Sequence, residues 1–209
     1  VRFVSGFSNS VQIDLDGDGQ KMSKTRGNVI EPWTVLERFG ADPFRWYLLT
    51  AQQAGESFRF SLDAIEEAMR RFLLTLWNTY AFLVTYASLP DGWSPQIDAP
   101  APAERPAIDR WALARLDDTV AEVTRELEGY DAAAAGRAIA SFVDELSNWY
   151  VRTCRRRFWR SEDRRDQTAA FATLHECLAT ITTLLAPFCP FVADEMYANL
   201  VAGHDASAP

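Results

Sequence analysis

From Asp63 to about Leu200 the chain is written almost entirely in the helical period. Ile65, Met69, Phe72, Leu73, Leu76, Thr79, Tyr80 and Leu83 recur three and four apart, which predicts one long helix running from Asp63 to about Ala87. Asp63 with Glu66 three later reads as a capping pair at its start. A second helix is predicted over 108–128, with Ile108, Trp111, Leu113, Leu116, Val120, Val123 and Leu127 on the apolar side and Gly129 at its end. Asp131 caps a third, reaching about Trp159, with the stripe Ile139, Phe142, Val143, Leu146, Trp149, Tyr150 and Thr153. A fourth spans 167–185 through Phe171, Leu174, Leu178, Ile181 and Leu185. Pro187 and Pro190 break the chain, and a last short helix follows through Val192, Met196 and Leu200. Amphipathic helices of this kind bury their stripes only against one another, so residues 61–202 are expected to form an up-and-down helical bundle. The tail 203–209 is expected to be disordered.

The first sixty residues are patterned differently. Val11, Ile13 and Leu15 alternate with Gln12 and Asp14, the period of a half-buried strand. The polar run that follows is broken by Gly17, Gly19 and Gly27, which allow positive φ. Pro32 opens a short helix, TVLERF, that Gly40 stops. Asp42 and Pro43 are read as N-cap and first position of the next helix, which carries Phe44, Tyr47, Leu48 and Ala51 on one face. Residues 52–62 form a connector. Residues 88–107 hold five of the ten prolines and read as an extended surface crossing. The fold class is therefore mainly α: a bundle preceded by a short strand, a loop and small helices. The opening VRFVSGFSNSVQIDL enters as though in mid-strand and is read as part of a longer chain.

Composition narrows the chemistry. A charge of −8 over 209 residues excludes a generic basic nucleic-acid coat, so any RNA contact rests on a local patch. Cys154, Cys177 and Cys189 are odd in number and lack C-x-x-C spacing, as expected of reduced, buried thiols in a cytoplasmic protein. No apolar run reaches bilayer length. His175 and His204 have no companions at ligand spacing, and no metal site is expected.

The loop DLDGDGQKMSKTRGNVIEP, residues 14–32, stands out because Lys21 and Lys24 are the only lysines among 21 Lys+Arg. Two ammonium groups brought together on a Gly-rich loop suit a polyanion such as a triphosphate, where point charges stabilise developing negative charge. A solvated loop with two surface lysines is the plain alternative. Asp14, Asp16, Asp18 and Gly19 also match the start of a calcium loop. That match fails at the twelfth position, Thr25, where a bidentate Glu is needed, and at the eighth, Lys21. No Walker phosphate loop is present.

A second cluster, WYVRTCRRRFWRSEDRR over 149–165, holds seven arginines. Arg152, Arg155, Arg156 and Arg160 share a helical face, while Arg157 lies nearer the apolar side. Arginine with interleaved aromatics suits an RNA surface, the guanidinium groups on phosphates and the rings against bases. Asp144, Glu145, Glu162 and Asp163 stand close enough in sequence to neutralise several of these arginines instead.

KMSKTRGNVIEP resembles the K-M-S-K-S signature loop of the class I aminoacyl-tRNA synthetases, with Thr25 in place of the last Ser. GADPFRWYLL (40–49) is similar to the segment after that loop. AAGRAIASFVDELSNWYVRTCRRRFW (134–159) and LLAPFCPFVADEMY (184–197) resemble the anticodon-binding helices of the isoleucine, valine and leucine group, the isoleucine branch most of all. The resemblance implies that 1–60 is the end of a Rossmann catalytic domain and 61–202 an anticodon-binding bundle. It implies a parent enzyme that uses ATP with Mg2+ to charge tRNA with isoleucine, working as a cytoplasmic monomer with no membrane partner. It gives Lys24 a contact to ATP phosphates, with Lys21, Met22, Ser23 and Thr25 supporting loop closure, and it gives Arg152, Arg155, Arg156 and Arg160 to tRNA. At Thr153 and Cys154 the family more often has Arg then Ser, which withholds an RNA role from those two positions. The family's His-x-Gly-His element is not in this sequence, and its amino-acid pocket, editing domain and C-terminal extension have no counterpart here. The 209 residues alone are therefore expected not to form the adenylate. The remaining readings are a valine enzyme and a free-standing RNA-binding helical module.

Overall fold

The computed structural model describes residues 15–51, 59–88, 93–95 and 99–203. In chain order the helices are α1 (Pro32–Phe39), α2 (Ala41–Thr50), α3 (Leu62–Ala68), α4 (Leu74–Ala87), α5 (Ala107–Glu128), α6 (Ala132–Glu145), α7 (Arg152–Trp159), α8 (Arg164–Leu185) and α9 (Pro190–Tyr197). The expected strand has no counterpart among the described residues. Val11 and Ile13 lie outside them, and Leu15 makes only isolated bridges, antiparallel to Lys21 and parallel to Arg59.

Two of the long helices predicted from periodicity contain a π turn. Met69–Leu73 joins α3 to α4, and Leu146–Val151 joins α6 to α7. A π turn takes up one more residue than an α turn, so it rotates everything after it. That corrects the expected stripe on the third helix. Beyond Leu146 the buried positions are Tyr150, Cys154 and Phe158, four apart, while Trp149 and Thr153 face outward. On α3 and α4 the predicted stripe holds: Ile65, Phe72, Leu73, Leu76, Tyr80 and Leu83 are all buried.

The caps also differ from expectation. Ser61, not Asp63, caps α3, accepting the Ala64 N–H at 3.2 Å. Asp131 caps α6 as expected, through the Ala134 N–H at 2.8 Å. Gly129 keeps φ −79°, and the left-handed residue of that turn is its neighbour Tyr130 at φ 62°. Gly40 does need its glycine: at φ 83° it ends α1 and begins α2 within one residue.

Short connections fold α5 back on α6 and α7 back on α8, and α8 packs against α5, α7, α4 and α9. α8 is long and apolar enough to span a bilayer, but 67% of its apolar window is buried inside the bundle, the mark of a core helix. Phe142, Phe158, Phe171, Leu174 and Leu178 are essentially inaccessible. Each such side chain contributes about 1.5–3 kcal/mol relative to exposure. The proline-rich crossing is anchored at two of its described residues. Trp93 is buried, stacked parallel to Phe171 at 6.0 Å, and Arg105 is buried in a two-pronged pair with Glu176 at 2.9 and 3.0 Å.

A smaller core gathers Val35, Tyr47, Phe60 and Ile65 under the signature loop. α2 belongs to both cores. Tyr47 enters the small one, while Trp46, stacked on Phe72 at 3.8 Å, enters the bundle. Ala51, expected on the apolar face, is exposed.

Candidate functional site

The lysine loop is organised by one carboxylate. Asp16 Oδ1 accepts the Gln20 N–H at 2.8 Å and the Asp18 N–H at 3.1 Å, and Oδ2 accepts from Asn28 Nδ2 at 2.8 Å. Asn28 then reaches the other arm, where its Oδ1 accepts the Ser23 N–H at 2.9 Å. Ser23 Oγ accepts the Arg26 N–H at 3.2 Å and sets up the single turn Lys24–Arg26. The Asn28 hydrogen bond, and after it the Gln20 amide, hold the Asp16 carboxyl below its ordinary range. Gly19 and Gly27 have positive φ at the two bends of the loop.

This wiring bears on charge. Asp16 spends both oxygens on loop donors and makes no direct salt bridge among the described residues, though Arg26 lies near enough to favour its charge. Lys21, Arg26 and Arg59 are exposed and make no ion pair among the described residues. Met22 is half-buried and packs on the small core, anchoring the loop at that point. Ser23 is half-buried and Thr25 exposed, so two hydroxyls stand beside the cations. Exposed cations outside any salt bridge, two hydroxyls and two glycine bends make a donor set that fits a phosphate group. The side chain of Lys24 lies outside the described residues. Asn28 carries no signal in the sequence, and Asp16 stands out there only as part of the failed calcium match. The twelve-residue gap between them carries no local signal, because their contact follows from the loop doubling back.

The second site lies on α7. Arg152, Arg155 and Arg156 are exposed and make no ion pair among the described residues, and Arg160, just past the helix, lies over the Trp159 ring at 4.4 Å. Three of the four nearby acids are engaged elsewhere. Glu145 binds Arg115 at 3.0 Å, Asp144 accepts from Asn148 at 2.6 Å, and Asp163 caps α8 through the Arg165 N–H at 2.9 Å.

The neighbouring Arg157 behaves differently. It points into the bundle and grips the fully buried Asp109 with both ends of its guanidinium, at 2.7 and 2.8 Å, and Asp166 at 2.9 Å. Tyr150 completes the cluster, its hydroxyl donating to Asp109 at 2.8 Å. Burial works against the charge of Arg157, but the hydrogen bonds to Asp109 and Asp166 outweigh it and hold the guanidinium protonated. α7 thus has one arginine facing inward as an anchor and three facing outward. His175 is half-buried, with Nε2 2.8 Å from the Leu200 carbonyl, and Cys177 is fully buried. Among the described residues no three His, Cys, Asp or Glu side chains gather where they could hold a metal ion.

A signature-type loop on a small core, joined through a shared helix to a bundle with a bare arginine face, is the layout of one class of protein. Residues 8–61 match the family described as tRNA synthetases class I (I, L, M and V), and residues 109–208 match the anticodon-binding domain of tRNA ligases. In the fold comparison the chain superposes on Mycobacterium tuberculosis methionyl-tRNA synthetase in complex with methionyl-adenylate. The TM-score is 0.71 at 26% identity, covering 86% of this chain and 35% of that one. It also superposes on a leucyl-tRNA synthetase from Agrobacterium radiobacter, solved as a ternary complex with tRNA. There the TM-score is 0.62 at 24% identity, over 89% of this chain and 21% of that one. The chain belongs to the class I aminoacyl-tRNA synthetases.

Within that class it is similar to the isoleucine–tRNA ligases. It is 50% identical over 194 residues to the enzyme of Dehalococcoides mccartyi, 48% over 190 residues to that of Thermus thermophilus, and 51% over 195 residues to that of Deinococcus radiodurans. Each alignment takes in at least 90% of this chain. The chain spans about a fifth of the length of these relatives, 18–19% of each. Neither the valine reading nor a free-standing RNA-binding module is favoured by these matches.

Proposed function

We propose that this chain serves the isoleucine–tRNA ligase reaction by supplying two parts of it: a loop that holds the phosphates of ATP and a bundle that holds tRNA. The observation that carries the reading is the presence of two cationic surfaces outside any salt bridge in a chain of net charge −8, Lys21 and Arg26 on the loop with Arg59 beside it, and Arg152, Arg155 and Arg156 on α7.

The family resemblance assigns Lys24 to the ATP phosphates, with Lys21, Met22, Ser23 and Thr25 shaping the loop around it. ATP, bound with Mg2+, supplies the adenylyl group that activates the amino-acid carboxylate. The part of this chain is to bring positive charge to the phosphates and to draw back afterwards. The division into a catalytic end over 1–60, a bundle over 61–202 and a tail over 203–209 goes with this reading, with α2 shared between the first two. The partners are tRNA and the catalytic and editing domains of the same enzyme, which works in the cytoplasm as a monomer.

The test is tRNA binding to the 209-residue chain across a salt series. Each phosphate contact to a single strand contributes about 0.7 to the slope of log K against log salt, so the arginine face predicts a slope of about −2 to −3. Arg152→Gln with Arg156→Gln reduces it by about 1.4. A slope near zero overturns the RNA reading. For the loop, Lys24→Ala in the full-length enzyme is expected to lower the rate of adenylate formation about 10²- to 10³-fold, and an unchanged rate removes Lys24 from the site.

A further inference from the structure

Arg59 stands beside the signature loop without belonging to it. Its carbonyl accepts the Tyr47 hydroxyl at 2.9 Å. The next residue, Phe60, is buried in the small core and donates its N–H to the Leu15 carbonyl at 3.0 Å. Leu15 bridges Arg59 on one side and Lys21 on the other. Arg59, Leu15 and Lys21 therefore lie abreast on three neighbouring lengths of chain, and residues paired in this way point to the same face. Phe60 takes the inner face, so Arg59 and its two neighbours take the outer one. Neighbouring chains in such a patch are about 4.8 Å apart, which puts Lys21 and Arg59 about 10 Å apart at the backbone. Two long side chains can close that span onto one ligand group.

Both side chains are exposed, and neither has a salt-bridge partner among the described residues. The Arg59 guanidinium leans over the bend of the loop. A Cβ on Gly19, two residues before Lys21, would stand 3.3 Å from Arg59 Nε and Cζ. The bend has φ 78° at Gly19, so it takes a glycine for its turn and leaves the guanidinium bare backbone to lie on. The Asp16 carboxylate is held by Asn28 and two loop amides, and Asp18 on the same turn makes no ion pair among the described residues. Two like charges on one face repel, and an anion between them removes the repulsion. A planar guanidinium beside a compact ammonium is a donor set for phosphate oxygens. The two are mounted differently from Lys24. Lys24 opens the single turn Lys24–Arg26, whereas Arg59 is tied through Tyr47 and Phe60 to the small core.

We propose that Arg59 is a phosphate-binding residue, the fixed half of a two-cation grip that it makes with Lys21. This rests on the reading of the loop as a phosphate site and adds to it a residue from outside the signature. The group gripped is a phosphate of a substrate, carried either by ATP or by the tRNA backbone.

The test uses the full-length enzyme and two assays, ATP–pyrophosphate exchange and tRNA charging. Arg59→Gln is expected to raise one Michaelis constant about tenfold, the loss of one charge-assisted hydrogen-bonded contact. A rise in KM for ATP in the exchange assay assigns the grip to the triphosphate. Unchanged exchange with a rise in KM for tRNA assigns it to the tRNA backbone. Arg59→Lys keeps the charge and retains most of the affinity. Lys21→Gln combined with Arg59→Gln loses less than the product of the two single losses, because both hold one phosphate. Losses that multiply in full overturn the shared grip. Arg59 is exposed, so its variants keep the parent's urea midpoint; a lowered midpoint with both KM values unchanged marks a structural role and overturns the proposal. If Lys24→Ala slows exchange while Arg59→Gln changes neither KM, the grip is wrong and the loop reading stands. If neither variant has an effect, the loop reading falls with it.

Discussion

The carboxylate of Asp42 in α2 accepts the backbone N–H of Val192 in α9 at 2.7 Å, across 150 residues of sequence. α9 has no cap of its own, because its N-cap position is Cys189, whose side chain makes no capping bond. One turn along α2, Arg45 donates to the carbonyls of Pro187 at 2.8 Å and Phe188 at 3.0 Å, just past the end of α8. A carboxylate therefore meets the donor end of one helix and a guanidinium the acceptor end of another, the signs that the helix dipoles favour. Through these two residues the segment after the signature loop closes the corner between the last two helices of the bundle.

Asp42 is buried, so losing its carboxylate leaves the first amides of α9 without a partner in a dry place. Asp42→Ala is expected to cost about 2 kcal/mol, lowering the urea midpoint with the m-value unchanged. Asp42→Asn keeps an acceptor and costs less. A midpoint equal to the parent's would show that the bond has no energetic weight.

α2 reaches the bundle at one further point, where α6 offers a glycine. A Cβ on Gly136 would overlap Thr50 Cγ2 and lie 3.6 Å from the Trp46 ring. Gly136→Ala in a helix would ordinarily gain up to about 1 kcal/mol from propensity. Here the clash reverses the sign, and a loss of about 1–3 kcal/mol is expected. Thr50→Ser removes the offending methyl and keeps the Thr50 hydroxyl bond to the Trp46 carbonyl, found at 2.7 Å. The double variant should recover much of the loss. If Gly136→Ala melts at or above the parent's temperature, α2 and α6 do not approach this closely.

These junction contacts also mark the limit of what the sequence discloses. The helices were legible because Ile65 to Leu83 and Ile139 to Leu146 repeat at 3.6 and each helix had to bury its stripe. The signature loop and the arginine run were legible as local composition. What could not be read depends on long-range pairing. Asp42 looks like the cap of its own helix and caps another. Arg157 looks like part of a basic run and turns inward, because Asp109, 48 residues earlier, waits on α5. Trp149 looks like core because a straight 3.6 period was carried through a π turn. The contact between Asp16 and Asn28 shows the same limit on a smaller scale, since only the folded loop brings them together.

The buried acids of the bundle set its alkaline limit. Burial pushes the thiols of Cys177 and Cys189 well above their ordinary range, and Cys154 upward as well. Tyr150 is raised by burial and then by the neighbouring Asp109 carboxylate. In the unfolded chain the thiols lose their protons near pH 8.5 and the phenol near about 10. Above those values the unfolded chain holds fewer protons than the native one, so stability falls as pH rises; below them the two states match and the contribution is fully present. Each thiol that stays protonated in the fold contributes a slope of about 1.4 kcal/mol per pH unit above about pH 8.5. Urea unfolding from pH 7 to 10 should therefore show a plateau followed by a steepening loss. Cys177→Ala should shallow that loss by about one thiol's worth while also lowering the plateau, since it empties a packed site. Stability that stays flat to pH 10 would mean that these groups are not held protonated by the fold.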